Sequence, residues 1–398
     1  MSASGYTLRR RTALSLALAP FASAALPAFA QGGKDEIRLG QTMPYSGPAS
    51  ALSSVGKVQS RFFRMVNEKG GINGRPVTLL SVDDGYNPAK AIEQTRNLVE
   101  RENVVAMFCS VGTAQNVAVQ KYLNGRKIPQ LFVYAGSDRF ADPQNYPYTL
   151  PGLTTFSTEA AIYADYVNKA RPQGRVAVLY QNDDFGKEYL NSFRKRLEQT
   201  GSKVQVVAAA GYEVTAPSID SQVISLAGSG ADVFMNITTP KFTVQAIRKV
   251  SDIKWQPLQI LPITSNFVAT VLQVAGLDKS VGLVSATPSK SAGDPEWARD
   301  PGYQEWLSFM GKYYPEGDTH EQLNLTGYNM GVLMVEVLRR CGGDVTPARI
   351  LKEATNLKDL ELPAYIPGIK VTTTPGDYHI IKQMRLQRFD GKRWAALT

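Results

Sequence analysis

From Ile37 onward, short apolar runs with the composition of β-strands alternate with amphipathic stretches of helical period. Successive strands joined through helices run parallel, so the alternation restricts the chain to parallel sheets covered by helices on both faces, an α/β architecture. Ile37 to Met43 reads as the first strand, followed by a turn at Tyr45, Ser46, Gly47, Pro48 and a helix over Val55 to Asn67 that Gly70 and Gly71 terminate. A second strand, Val77 to Val82, runs into Asp83, Asp84, Gly85; Asn87 and Pro88 then start the helix Ala89 to Arg101. Strand Val104 to Phe108, helix Thr113 to Asn124 and strand Gln130 to Val133 continue the pattern.

After a loop rich in Asp, Pro and Tyr (Ser137 to Pro147) the grammar restarts. Helices Thr158 to Lys169, Lys187 to Thr200, Ser218 to Ser229 and Lys241 to Ser251 alternate with strands Arg175 to Tyr180, Lys203 to Ala210 and Val233 to Asn236. With 398 residues, more than one core usually serves, the restart predicts a second lobe. Beyond Trp255 the pattern loosens, with strands at Leu258 to Leu261 and Val281 to Ala286 and helices at Tyr303 to Tyr313, Gly327 to Arg340 and Pro347 to Thr355. Ile369 to Thr373 and Met384 to Phe389 read as closing strands.

The first thirty residues are set apart. Arg9, Arg10 and Arg11 precede an uncharged run that closes on Ala28, Phe29, Ala30, the layout of a cleavable export signal. Pro20 and Pro27 break the run, so a released periplasmic protein is expected, exported by either the twin-arginine or the general secretory route. In an oxidising compartment Cys109 and Cys341 read either as a bridge or as two buried thiols.

Composition removes several functions. Formal net charge is +9, three of those charges sit in the leader, and the remaining Lys and Arg are interspersed with Asp and Glu, which argues against nucleic acid. His320 and His379 are the two histidines and neither has a His or Cys at ligand spacing, so no metal site is expected. No phosphate loop, dinucleotide fingerprint or nucleophile elbow is present, and no cofactor or catalytic residue is expected.

A parallel sheet places ligands beyond the carboxyl ends of its strands. In the first half those ends carry Cys109, Ser110, Val111, Gly112, Thr113 and Tyr134, Ala135, Gly136, Ser137. The first loop opens a helix, whose free N–H groups suit a carboxylate; Ser110 or Thr113 reads equally as a helix cap. In the second half the ends carry Gln181, Asn182, Asp183, Asp184, Phe185, then Thr238 and Thr239, then Ser265 and Asn266. The Asn and Asp cluster is also plain turn chemistry.

These residues resemble, in order and spacing, the periplasmic ligand-binding proteins of ABC importers, in particular the Leu/Ile/Val-binding receptors. The likeness rests on Tyr45 to Pro48, on NEKGGING (Asn67 to Gly74), on Asp83 and Asp84, on Cys109 and Ser110, and on VLYQNDDFG (Val178 to Gly186). It implies a type I periplasmic binding protein fold: two Rossmann-like lobes, a central cleft and three crossing segments. The expected division is an export signal at 1–30, one lobe from 31–150 plus 287–360, and the other from 151–286 plus 361–398. Function is implied as an extracytoplasmic receptor, expected to be monomeric, that delivers a branched-chain amino acid or related small carboxylate to membrane permease subunits.

By the resemblance, Ser110, Ala135 and Ser137 clamp a carboxylate, Thr239 stands where amino acid receptors tend to have Tyr, and Phe185 is a cleft aromatic. Tyr45, Val111, Tyr134, Asn182 and Ser265 complete the candidate ligand set. Where amino acid receptors place an acid for the ligand ammonium, this chain reads Pro262, Ile263, Thr264, Ser265, Asn266. That departure keeps open a receptor for aromatic or aliphatic acids without an ammonium group, as well as a ligand sensor outside transport. Tyr45, Tyr134, Phe156 and Phe185 are available to line such a body, Tyr134 and Phe156 reading equally as ordinary core aromatics.

Overall fold

The computed structural model describes residues 36–397, so the expected export signal lies outside the described residues. The chain builds β1 (Ile37–Met43), α1 (Ser54–Glu68), β2 (Val77–Asp83), α2 (Pro88–Glu100), β3 (Ala106–Phe108), α3 (Thr113–Arg126), β4 (Gln130–Val133) and β5 (Thr149–Pro151). It continues through α4 (Phe156–Ala170), β6 (Arg175–Gln181), α5 (Asp184–Gln199), β7 (Gln205–Tyr212), α6 (Asp220–Ala227), β8 (Val233–Ile237) and α7 (Pro240–Asp252). Then come β9 (Leu258–Ile260), α8 (Gln273–Ala275), β10 (Val284–Thr287), α9 (Pro301–Tyr313), α10 (Gln322–Arg340), α11 (Pro347–Ala354), β11 (Leu360–Glu361), β12 (Lys370–Val371), β13 (Arg385–Phe389) and β14 (Trp394–Ala396).

Two sheets carry the site. The first has order β2-β1-β3-β4-β5 and is parallel throughout. The second has order β14-β13-β10-β9-β8-β6-β7, in which β13 alone runs antiparallel to the rest. Both parallel cores thus repeat one doubly wound order, with the direction of winding reversing between β1 and β3 in one and between β6 and β8 in the other. Ligand crevices form at such reversals, where the loops diverge.

Local chemistry explains the elements that frame those crevices. Asn87 caps α2 by accepting N–H bonds from Ala89 and Lys90, with Pro88 in the first turn. Gly70 and Gly71 take positive φ (97° and 73°) after α1, and the Gly71 N–H returns to the Val66 carbonyl at 2.9 Å. Helix α10 starts at Gln322, five residues ahead of the expected Gly327, because Glu321 caps it by accepting the Leu323 N–H at 3.0 Å. Gly327 and Gly331 let α10 press on α1: a Cβ at these positions would lie 2.4 Å from Val58 and 2.6 Å from Phe62. Phe62 then meets Tyr328 edge to face, with 5.3 Å between ring centroids.

The chain passes from the first sheet to the second after β5, leaves again after β10, and returns before β13. Residues 361–381, expected with the second lobe, bond instead to elements of the first. The Ala364 N–H donates to Asn329 of α10 at 3.0 Å, and the Tyr378 hydroxyl donates to the Pro147 carbonyl at 3.0 Å. The short strand pair β11 and β12 and the edge strands β5 and β14 carry too few residues for a period-2 pattern to register. Cys109 and Cys341 are separate buried thiols.

Candidate functional site

The loops at the two winding reversals face one another across a partly open cleft spanning about 370 Å³ of space between atoms, solvent included. From the first half come Leu52, Tyr86, Val111, Gly112, Thr113, Tyr134 and Ala135. Phe156, Phe185, Thr239 and Thr264 close it from the second. Among the described residues, no charged side chain lines it.

Helix α3 points its N-terminus at this space. Its N-cap is Gly112, with φ 99° and no side-chain cap, so the first-turn N–H groups are left for another acceptor. The positive φ needs glycine, and space needs it too: a Cβ would lie 2.1 Å from Gln115 Oε1 and 2.9 Å from the Tyr86 ring. Asn116 braces the loop from beneath by donating to the Ser110 and Gly112 carbonyls at 3.1 and 2.7 Å. Gln115 donates to the Tyr86 carbonyl at 2.8 Å, which leaves its own buried Oε1 without a partner among the described residues.

Opposite, Phe156 and Phe185 sit with ring centroids 5.3 Å apart, both nearly fully buried. Asp183 caps α5 and thereby aims Phe185 inward; its carboxylate accepts the Gly186 N–H at 3.3 Å and the Gln181 amide at 2.6 Å. Thr239 donates its N–H to the Tyr212 hydroxyl at 3.1 Å, and the half-buried Thr264 has an unpaired hydroxyl. Behind the loop that carries Thr264 lies Glu159, with no exposed surface. Its Oε1 accepts from the Ile263 N–H at 2.7 Å and the Tyr163 hydroxyl at 3.0 Å. Burial outweighs those bonds and pushes the Glu159 carboxyl up to about 7. Burial likewise raises Asp84 to about 6, with its Oδ1 accepting the Tyr86 N–H at 2.8 Å.

Of the ten expected ligand residues, Val111, Tyr134, Ala135, Phe185 and Thr239 line this cavity. Ser110 sits just behind it, its hydroxyl accepting the Thr42 N–H at 3.0 Å. Tyr45 bonds Ser81 at 2.6 Å. Ser137 caps the short turn after it by accepting the Arg139 N–H at 3.3 Å. Asn182 is exposed and donates to Glu213 at 2.5 Å, while Ser265 is wholly buried outside the lining. The ten lacked Leu52, Tyr86, Gly112, Thr113 and Thr264; Phe156, named from the sequence as available to line an apolar body, does line the cavity. Tyr86 follows the Asp83, Asp84, Gly85 turn and takes φ 59°, so it folds back over the cleft, and only that turn signals it in the sequence.

A second cavity, spanning about 680 Å³ between atoms with open solvent included, lies on the other side of Tyr134, which lines both. The crossing segments give it Gly152 to Thr154, Thr287 to Ser289 and Ile381, and residues such as Phe267, Gln322, Met330 and Tyr365 complete its walls.

The family described as periplasmic binding protein matches residues 36–393. A Leu/Ile/Val-binding protein homolog from Brucella abortus is 23% identical over 359 residues, covering 85% of each chain. Among solved structures, a branched-chain amino acid ABC transporter protein from Thermus thermophilus with bound valine superposes with TM-score 0.82 at 17% identity, over 92% of this chain and 96% of that one. A fatty acid ABC transporter substrate-binding protein from Thermomonospora curvata superposes with TM-score 0.75 at 18% identity, over 92% of both chains.

Proposed function

The chain belongs to the periplasmic binding protein family and has its type I fold, and on that premise we propose that it is the substrate-binding receptor of an ABC importer for a small organic carboxylate. The supporting observation is the juxtaposition of an uncapped helix N-terminus with an apolar, uncharged wall in one crevice between the two sheets. Backbone N–H groups at the start of α3, with the positive end of the helix dipole, hold the carboxylate. Ser110, one residue upstream of the lining, supports the grip through the loop that Asn116 braces.

Phe156 and Phe185 pack on the ligand body from the other half. Ligand contacts to both halves favour the closed arrangement, and membrane permease subunits read that arrangement. Residues 1–30 direct export to the periplasm in this reading. The relatives' names frame the ligand range: one structural neighbour holds valine, another belongs to a fatty acid transporter. The reading is tested by calorimetry of protein refolded free of endogenous ligand against branched-chain amino acids and aliphatic and aromatic acids. Saturable one-to-one binding of a carboxylate supports it. Binding only of compounds without a carboxylate refutes it.

A further inference from the structure

The carboxylate reading leaves the other groups of the ligand undefined, and the wall chemistry narrows them. Among the described residues, no lysine, arginine, aspartate or glutamate side chain lines the cavity. Three carboxyls stand behind its walls without lining it. Asp84 holds the Tyr86 N–H, Asp183 caps α5, and Glu159 holds the Ile263 N–H and the Tyr163 hydroxyl. Unpaired acceptors lie in this region: Gln115 Oε1 and Thr264 Oγ1 are neutral dipoles, and the buried Asp84 Oδ2 and Glu159 Oε2, also without a partner among the described residues, belong to side chains that do not line the cavity. An ammonium enclosed without an anionic partner costs several kcal/mol. An α-amino acid adds a second cost, because its ammonium is one carbon from the carboxylate and lies in the positive field of the same helix end. Phe156, Phe185, Leu52 and Tyr86 meanwhile offer apolar surface to a ligand body.

We infer that this receptor selects carboxylic acids that lack an ammonium group over α-amino acids of the same side chain. The inference rests on the carboxylate reading above.

Matched probes separate the two. Isocaproate is compared with L-leucine, hydrocinnamate with L-phenylalanine, and isoamylamine serves as the amine without a carboxylate, all by calorimetry on refolded mature chain. The expected result is that at least one acid binds, at least about tenfold tighter than its amino counterpart, with no binding of isoamylamine. Thr264→Glu, which sets a carboxylate on the cleft wall, narrows or reverses that ratio; if this variant fails to fold, the wild-type ratio decides alone. L-Leucine or L-phenylalanine binding as tightly as its acid overturns the inference and leaves the carboxylate receptor standing. Tighter binding of isoamylamine than of isocaproate, as an aromatic cage for cations gives, overturns both. If none of the five probes binds, the inference falls for these two side-chain classes.

Discussion

Replacing Glu159 by Gln separates a buried neutral acid from a buried charge. The folded-state value of about 7 lies above the ordinary glutamate value of 4.5, because burial disfavours the carboxylate more than the Ile263 and Tyr163 bonds favour it. Over that interval the native protein keeps a proton that the unfolded chain has released, so stability is greatest below the ordinary value and is lost as pH rises to about 7. At 1.36 kcal/mol per pKa unit the loss attributable to this side chain is about 3 kcal/mol. Glutamine keeps an oxygen for the Ile263 N–H and the Tyr163 hydroxyl and cannot ionise. Urea unfolding of both proteins at steps between about pH 5 and pH 8 isolates the effect, since slopes from Asp84 and Glu188 are common to both. Glu159→Gln is expected to gain on the wild type by about 3 kcal/mol across that range. A difference between the two that stays constant with pH refutes the reasoning.

Other outcomes follow from the same geometry. Gly112→Ala forces an L-residue to φ 99° beside Gln115, at a cost of about 1–3 kcal/mol in stability; thermal unfolding should show it, and calorimetry should show at least about a tenfold loss of carboxylate affinity if α3 holds that group. Glu188 of α5 accepts the Asp138 N–H at 2.6 Å across the two halves, and burial, with Asp138 adding to it, raises its carboxyl, so the proposed closure is expected to take up a proton. Arg139, Asp184, Lys187 and Lys195 line the groove beside it. Ligand affinity should therefore fall as pH rises through the raised Glu188 value and lose that dependence in Glu188→Gln, as read by dissociation constants across the pH series. A thiol alkylating reagent should leave native Cys109 and Cys341 unmodified and add to both after unfolding without reductant, detected as a two-adduct mass shift.

The alternation of strand and helix made the parallel architecture legible, because a doubly wound sheet repeats one local grammar. Ile37 to Met43 and Gln130 to Val133 were readable to the residue, since apolar runs bounded by turns leave little freedom. The site was legible where it lies on strand ends: Val111, Ala135, Phe185 and Thr239 follow directly from the sheet rule. It was not legible where a side chain's direction depends on what lies beneath it. Ser110 turns to Thr42, Ser137 caps its own turn, and Asn182 leaves for Glu213, each a hydrogen bond that strand-end position does not encode. Leu52 and Tyr86 reach the cleft through a short helical turn and a positive-φ residue, and Glu159 lies 104 residues before the loop it supports.

The most direct test of the account is a crystal structure of the chain with isocaproate bound. The account predicts the carboxylate within hydrogen-bond distance of the first-turn N–H groups of α3 and the branched body against Phe156 and Phe185. The ligand found in the cavity behind Tyr134, or with its carboxylate turned away from α3, contradicts it.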